Sequence, residues 1–203
     1  MKMPKLAIKA VSPILVALTI TLLSVGNLSA DAHESPAVPV PDADRQDLPT
    51  VYEAALAFAE GGPFTTLVDL LVTAFGLETL EELFDGDAHY TVFAPTNDAF
   101  GALLGSLTEA QTTALLDVEN GLLASILLYH VARGDWYAAA FPVGALKMAD
   151  GNLAGIYWEG EKVMIEGARV FGEAVVQNGV AYGLDAVIVP PGFLDALNEA
   201  ATP

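Results

Sequence analysis

The sequence predicts an α+β fold in which a helical first half is followed by a strand-rich second half. Apolar residues recur at helical spacing behind capping signals in the first half, and from Asn152 onward short β-branched and aromatic runs alternate with glycine. One early strand, Tyr90–Ala94, interrupts the helices. Helices and strands that are segregated along the chain in this way indicate an α+β domain.

Residues 1–32 have the pattern of a secretory signal peptide. Lys2, Lys5 and Lys9 precede the apolar run AVSPILVALTITLLSVG, and small residues follow in NLSADA. The alternative is an uncleaved membrane anchor, but the run contains Pro13 and is short for a span of about 20 apolar residues. We therefore expect a secreted protein, extracellular or periplasmic, that does not span the membrane after cleavage.

The rest of the chain divides by composition. Residues 33–47, HESPAVPVPDADRQD, are acidic and rich in proline, which is typical of an extended or disordered tether. Residues 48–197 have a globular composition, and about 150 residues suffice for one domain. Residues 198–203 are assigned to a C-terminal tail.

The charge of the chain excludes some partners. The formal net charge is −18, and removal of residues 1–32 leaves five basic and 25 acidic side chains, a net charge of −20. Nucleic acids and anionic membrane surfaces both attract basic patches, so we expect neither as a partner. Repulsion between copies also predicts a monomer. The sequence has no cysteine, so disulfides are excluded.

Three helices are predicted before the early strand. The sequence TVYE, Thr50–Glu53, is a capping box that opens a helix reaching about Glu60. Leu67, Leu70, Leu71 and Ala74 then share one face of a second helix. The segment LETLEELF, Leu77–Phe84, forms a short third helix.

The segment TVFAPTNDAF predicts a strand that turns directly into a helix. Tyr90, Val92 and Ala94 face one side of the strand, and Thr91 and Phe93 face the other. Pro95 is expected to end the ladder because it has no N–H group. Thr96 is the predicted N-cap of a helix that begins at Asn97, with Asp98 in its first turn. Capping and packing explain every residue of this corner, although a contact surface is the alternative.

Two further helices follow the corner. Thr108–Gln111, TEAQ, is a second capping box. Leu123, Ile126, Leu127 and His130 share one face of the next helix, so we interpret His130 as a buried, hydrogen-bonded core residue. A base, a ligand or a pH switch is the alternative for a histidine.

The second half predicts hairpins and a short last helix. Gly160 and Gly167 separate β-type runs, and Asn178-Gly179 is the strongest hairpin signal in the chain. The segment DAVIVPP, Asp185–Pro191, predicts a last strand, and Gly192–Ala200 predicts a terminal helix.

No residue set in the sequence predicts catalysis. The three histidines are far apart, and neither H-E-x-x-H nor G-x-S-x-G occurs. FDGDAH, Phe84–His89, offers carboxylates to Ca²⁺ but lacks EF-hand spacing, so a solvated loop is the preferred interpretation. We therefore predict no catalytic residue, no metal site and no cofactor, and a protein that is not an enzyme.

Three segments resemble the signatures of fasciclin domains. They are YTVFAPTNDAF, ILLYHVARGDW (Ile126–Trp136) and NGVAYGLDAVIVPP (Asn178–Pro191), in the family's order and spacing across residues 48–192. The resemblance implies a β-wedge of two small sheets with helices packed around it. The chain departs from the pattern where Ala132-Arg133 replaces Val-Pro, Tyr182-Gly183 replaces His-Val, and Glu166 replaces Asn.

The resemblance implies an exported, non-enzymatic adhesion or extracellular-matrix module that binds a surface protein or a polysaccharide. In animal members the Tyr-His segment has been linked to receptor binding. The candidate partner-binding residues are Asn97, Asp98, Tyr129, His130 and Trp136. Aromatic residues that are either exposed for sugar stacking or buried in the core are Trp136, Tyr137 and Trp158.

A secreted small-molecule-binding protein or a hydrolase that uses a cleft is the alternative function. A deep apolar pocket with convergent polar groups would favour this alternative. A filled wedge with a flat, exposed aromatic patch would favour adhesion.

Overall fold

The structure is a computed structural model that describes residues 44–59, 61–84, 88–137, 141 and 143–202. The described residues form seven α-helices and seven β-strands, which confirms the predicted α+β class. The predicted signal peptide, most of the predicted tether and the centre of the FDGDAH loop lie outside the described residues.

The helices begin and end near the predicted positions. Their bounds are α1 Val51–Ala59, α2 Thr65–Phe75, α3 Leu77–Phe84, α4 Asn97–Ser106, α5 Glu109–Leu116, α6 Leu122–Leu128 and α7 Phe193–Ala200. Both capping boxes are confirmed. Thr50 N donates to Glu53 Oε2 at 3.1 Å and Glu53 N donates to Thr50 Oγ1 at 3.2 Å. The Thr108 side chain and Gln111 make the same reciprocal contacts at the start of α5.

The strands form one folded-over sheet. Their bounds are β1 Tyr90–Pro95, β2 Val131–Arg133, β3 Gly144–Lys147, β4 Leu153–Glu159, β5 Lys162–Ile165, β6 Ala168–Val176 and β7 Gly179–Leu184. The order is β2-β1-β7-β6-β5-β4-β3, and only the β1–β7 pair among them is parallel. The end strands meet through a bridge between Ala132 and Met148, and Ala149 N donates to Val131 O at 2.7 Å.

An apolar cluster fills the space between the two halves of the sheet. Its members come from β1 and β7 on one side and from β4 and β5 on the other, and include Phe93, Ala154, Ile156, Ile165, Val180 and Leu184. A second cluster lies beneath the helices and includes Phe100, Leu115, Leu123, Ile126, Leu127 and Leu197. These two layers form the predicted wedge with helices packed around it.

The corner after β1 has the predicted faces and cap. Phe93 lies in the cluster between the sheet halves, whereas Tyr90, Val92 and Ala94 pack against the helices. Thr96 Oγ1 accepts from Ala99 N at 3.2 Å and caps α4.

β1 ends at Pro95 as expected, but the missing N–H group of the proline is not the cause. Pro95 still pairs with Leu184, and Thr96 N donates to Leu184 O at 3.1 Å. Because Phe93 N points toward β2 and donates to His130 O at 2.8 Å, the nitrogen of Pro95 faces the same side, beyond the paired part of β2. The missing N–H of the proline therefore costs the ladder no bond.

The predicted hairpins are confirmed, but the Asn178-Gly179 signal has a different cause. The two loop residues are Gln177 and Asn178, and Gly179 already pairs with Val176 inside the sheet. A Cβ atom on Gly179 would lie 2.1 Å from Tyr90 O, so β1 approaches too closely for any side chain. The side chain of Asn178 accepts from Val51 N at 2.8 Å and donates to Phe84 O at 2.7 Å.

The predicted last strand at Asp185–Pro191 is wrong. β7 ends at Leu184, and the segment that follows has no ladder. Asp185 Oδ1 accepts from Arg169 N at 2.8 Å, and Ile188 N donates to His130 Nε2 at 3.1 Å. The apolar residues of the segment are packed into the core as expected, but Ile188 N bonds to a side chain instead of to a strand.

Candidate functional site

Tyr129 and His130 lie inside the wedge, immediately after α6. Their exposed fractions are 0% and 2%. The hydroxyl group of Tyr129 donates to Leu153 O at 3.1 Å, which joins the end of α6 to the start of β4. Neither side chain contributes to the surface of the protein in this structure.

The hydrogen bonds of His130 fix its tautomer. Nε2 accepts from Ile188 N, so the ring proton lies on Nδ1 and is donated to Ile126 O at 2.7 Å. Burial lowers the pKa of His130 to about 4. The ring is therefore neutral near pH 7 and has no free nitrogen for a proton transfer or a metal. It connects α6 to the segment that follows β7.

Glu166, which stands where the family pattern has Asn, keeps a polar network in this region. Its φ angle is 48°, a left-handed conformation that is uncommon for a residue other than glycine. Its carboxylate accepts from Gly155 N at 2.5 Å, across the β4–β5 hairpin. Burial, and then the nearby charge of Glu166, raise the pKa of Tyr129. The tyrosine therefore stays protonated throughout the physiological range of pH.

Asn97 and Asp98 occupy the first turn of α4. Asn97 Oδ1 accepts from Thr66 N at 2.9 Å, and Asn97 Nδ2 donates to Gly62 O at 2.9 Å. These bonds attach α4 to the turn before α2. The side chain of Asp98 is exposed, so it is the member of this pair that a partner can reach.

Trp136 is half-buried in the loop that follows β2. Its indole nitrogen donates to Arg133 O at 3.0 Å, and its backbone N–H donates to Thr91 Oγ1 at 2.9 Å. The side chain packs against the cluster between the sheet halves. The adjacent Tyr137 is buried. This loop is thus held from several directions.

Sequence reasoning did not identify a buried ion pair near this loop. Arg45, which the composition assigned to the tether, is 1% exposed and places Nη2 2.9 Å from Asp135 Oδ2. Arg45 also donates to the hydroxyl group of Tyr137. The same Asp135 oxygen lies 2.8 Å from His89 Nδ1. The sequence signal was a single arginine in an otherwise acidic segment, and this signal does not indicate which residue the arginine contacts.

Tyr182 and Gly183, the second departure from the family pattern, are also structural. The ring of Tyr182 stacks on Phe93 at a centroid distance of 5.9 Å. Its hydroxyl group donates to Glu173 Oε2 at 2.6 Å, and Trp136 O lies 3.0 Å from the hydroxyl oxygen. A Cβ atom on Gly183 would lie 2.5 Å from the ring of Phe171. The glycine therefore makes room for an aromatic ring across the β6–β7 pair.

Exposed aromatic surface is found on β4 and not in the Tyr-His segment. Tyr157 and Trp158 are each 44% exposed, and Leu153 is 58% exposed. Because side chains alternate along a strand, Leu153 and Tyr157 project from the face opposite to the buried Ala154 and Ile156. Among the described residues no helix has its apolar side on this face.

A groove of about 490 Å³ lies between α5 and the end of α7. Small and polar side chains line it, among them Glu109, Thr113, Asp117 and Asn120. Within the described residues no cluster of three His, Asp or Glu side chains is arranged to hold a metal ion. No helix in the same residues has the length and apolar character needed to cross a membrane.

Comparisons with known proteins identify the family. The sequence profile of the Fasciclin domain matches residues 62–190, and the chain therefore belongs to the fasciclin domain family. Protein sll1483 of Synechocystis is 33% identical over 140 residues, which cover 68% of this chain and 76% of that protein. The cell surface glycolipoprotein MPB83 of Mycobacterium bovis is 32% identical over 102 residues, half of this chain and 44% of that protein.

The same fold occurs in a solved structure. A FAS1 domain pair from the insect cell adhesion molecule fasciclin I superposes with a TM-score of 0.54 over 71% of this chain and 52% of that chain, at 15% sequence identity. This similarity confirms the wedge architecture. The similar proteins thus include a cell surface glycolipoprotein and an insect cell adhesion molecule.

Proposed function

We propose that this protein is an exported, non-enzymatic adhesion module that binds a surface polymer or protein through the outer face of its β3–β5 strands. The observation that carries the proposal is the contrast between a filled interior and an exposed aromatic surface. Tyr157 and Leu153 project into solvent, whereas the space between the sheet halves is occupied by packed side chains. Exposed apolar surface of this kind is typical of a binding site.

The alternative of a cleft-based ligand-binding protein or hydrolase has less support. The α5–α7 groove is lined by carboxylates and small side chains, not by the apolar walls and few convergent polar groups of a typical ligand pocket. His130, the residue best suited to acid-base chemistry, has both ring nitrogens occupied. The candidate residues therefore support binding more than catalysis.

The five candidate residues have different roles in this proposal. Tyr129 and His130 hold the wedge closed and act on the surface only indirectly. Asn97 orders the corner before α4. Asp98 and the exposed part of Trp136 remain candidates for direct contact, and Tyr157 is added to them as the main contact.

The test is binding of the exported protein to intact cells of the organism that encodes it. We expect Tyr157→Ala to weaken binding about ten-fold, because a central aromatic contact commonly contributes about 1–3 kcal/mol to the binding free energy of an interface. Leu153→Ala is expected to weaken it less. Leu194→Ala on α7 is the matched control, since Leu194 is 53% exposed and Leu153 is 58% exposed.

Circular dichroism would confirm that each variant is folded. Equal binding by wild type, Tyr157→Ala and Leu153→Ala would place the contact elsewhere. A folded wild-type protein that does not bind the cells would contradict the adhesion proposal itself.

A further inference from the structure

The basic side chains of this acidic protein are unevenly distributed. Residues 33–203 contain only five, namely Arg45, Arg133, Lys147, Lys162 and Arg169. Arg45 is buried, and the other four are exposed. Three of these four lie on β3, β5 and β6, which together with β4 form one end of the sheet.

The strand register places those three cations on one face. Lys147 pairs with Leu153, and Lys162 pairs with Glu159. Arg169 pairs with Met164, which itself pairs with Tyr157. Paired residues project to the same side of a sheet, so all these side chains lie on the face opposite the core. We call Lys147, Leu153, Tyr157, Lys162, Met164 and Arg169 the basic face.

The cations of the basic face are available to a partner. Within the described residues, Lys147, Lys162 and Arg169 have no carboxylate oxygen within 4.0 Å, since the ion pairs found there involve Arg45 and His89. Glu159 is the acidic residue paired with Lys162, and the carboxylate of Glu166 is engaged by Gly155 N. Asp185 Oδ1 also accepts from Arg169 N, so three carboxylates lie beside the three cations. The face is therefore close to neutral, in a chain whose residues 33–203 carry a net charge of −20.

The dimensions of the basic face fit an extended chain. The outward residues of β4 from Leu153 to Glu159 span about 20 Å at roughly 3.3 Å per residue, and neighbouring strands lie about 4.8 Å apart. Lys147 and Lys162 lie near opposite ends of this span, with Tyr157 and Met164 between them. A polymer lying along β4 can meet a cation at each end and an aromatic ring between.

We infer that the basic face binds an anionic polysaccharide, whose carboxylate or sulfate groups pair with Lys147, Lys162 and Arg169 while a sugar ring packs on Tyr157. This inference rests on the proposed function and adds the charge and class of the polymer. Charge complementarity selects this occupant, because ammonium and guanidinium groups are strong donors to carboxylate and sulfate oxygens. Aromatic rings offer the apolar surface that sugar rings require.

The negative charge of the rest of the protein gives this binding an unusual salt dependence. Near 0.15 M salt, charges beyond about 8 Å are screened, so the basic face decides the interaction. Near 0.01 M salt the screening length is about 30 Å, and the acidic remainder repels the polymer. Near 1 M salt the local attraction is screened as well. Affinity should therefore be highest at intermediate salt, whereas a uniformly basic surface loses affinity steadily as salt rises.

The experiment measures binding of the exported protein to three immobilised polymers near 0.15 M salt. Polygalacturonate supplies carboxylates, dextran sulfate supplies sulfates, and dextran is the neutral control. We expect binding to at least one anionic polymer and not to dextran. The triple variant Lys147→Gln/Lys162→Gln/Arg169→Gln should bind at least about ten-fold more weakly. Arg169→Gln and Arg133→Gln form a matched pair, since each removes one exposed cation and only the first should weaken binding.

The outcomes separate this inference from the proposed function. Binding to one anionic polymer only would also identify carboxylate or sulfate as the recognised group. Binding to neither polymer, equal binding to dextran, or an unaffected triple variant that circular dichroism shows to be folded would overturn the inference. If wild type and the triple variant then bind producing cells equally, adhesion stands and its contact does not use the cations of the basic face. If the wild type does not bind those cells, the proposed function fails as well.

Discussion

At the scale of single residues, His130 is the clearest example of a side chain whose chemistry is used for structure. Its two ring nitrogens satisfy a carbonyl group at the end of α6 and an N–H group after β7. A charged ring could donate to Ile126 O but could no longer accept from Ile188 N. The fold therefore depends on the neutral form.

This dependence predicts a loss of stability in mild acid. Burial lowers the pKa of His130 from 6.5 to about 4, so the unfolded chain binds its proton first as pH falls. The contribution of neutral His130 to the free energy of unfolding is complete above pH 6.5 and is lost as pH falls toward 4. Between about pH 7 and about pH 5 we expect wild type to lose about 2 kcal/mol more unfolding free energy than His130→Gln.

Urea unfolding at both pH values measures this difference. The contribution of the many carboxylates to the pH dependence cancels, because both proteins carry the same carboxylates. An NMR titration of wild-type His130 provides an independent value. Equal pH slopes for the two proteins, or a titration near pH 6.5, would contradict the assignment.

Gly179 makes a second prediction at this scale. Gly179→Ala would place a methyl group 2.1 Å from the backbone carbonyl oxygen of Tyr90, so β1 and β7 must separate. We expect a loss of about 2–4 kcal/mol of unfolding free energy or failure to fold. Gly101→Ala is the control, because this exposed helical glycine has nothing within 4 Å and should stabilise by about 0.5–1 kcal/mol. Thermal and urea unfolding measure both, and equal effects would refute the argument.

At the scale of elements, the sequence predicted those features that depend on hydrogen bonds between residues close together in the chain. The caps at Thr50, Thr96 and Thr108 were identified correctly because a cap joins residues three positions apart. The last strand was wrong because Ile188 N bonds to His130, 58 residues away. Asn178 predicted a hairpin, but its contact with Val51 spans 127 positions and gave no signal in the sequence.

The segment before α1 makes a prediction at the scale of elements. The Arg45–Asp135 ion pair ties residues 44–47 to the loop after β2, so these residues should unfold together with the domain. Arg45→Ala should cost about 3 kcal/mol, because it leaves the carboxylate of Asp135 without its cation. In the Asp135→Ala background, Arg45→Ala should lower the free energy of unfolding by at least about 1 kcal/mol less than it does in the wild type.

A double-mutant cycle in urea measures that coupling. Additive effects of the two substitutions would mean that the segment is not held by this ion pair. Arg133→Ala is a suitable control, since Arg133 is an exposed arginine elsewhere on the chain.

At the scale of the whole molecule, the three signature segments predicted the family and the wedge, but the sequence could not predict which surface is exposed. Tyr129 was a candidate contact residue and is buried because the two halves of the sheet close over it. The basic face requires the register of four strands, and no local pattern links Lys147 with Arg169. The contact role of Asn97, Asp98 and Trp136 stays a prediction.

The net charge makes a prediction at the same scale. Repulsion among acidic side chains opposes the compact state, and added salt screens it. The melting temperature should therefore rise between about 0.05 M and about 1 M NaCl, and the protein should remain a monomer at low salt. Differential scanning fluorimetry and light scattering measure the two quantities, with KCl as the control for ion identity. A melting temperature that falls with both salts would contradict this account.

The meeting of β2 and β3 has a further consequence for recognition. Strands at the ends of an open sheet leave rows of unpaired backbone N–H and C=O groups. A strand of a ligand or of an aggregating neighbour can form hydrogen bonds with these groups. Here the Ala132–Met148 bridge and the Ala149–Val131 hydrogen bond use backbone groups at that seam. A partner must therefore recognise side chains at this seam, and the protein is protected there from polymerising with its own copies.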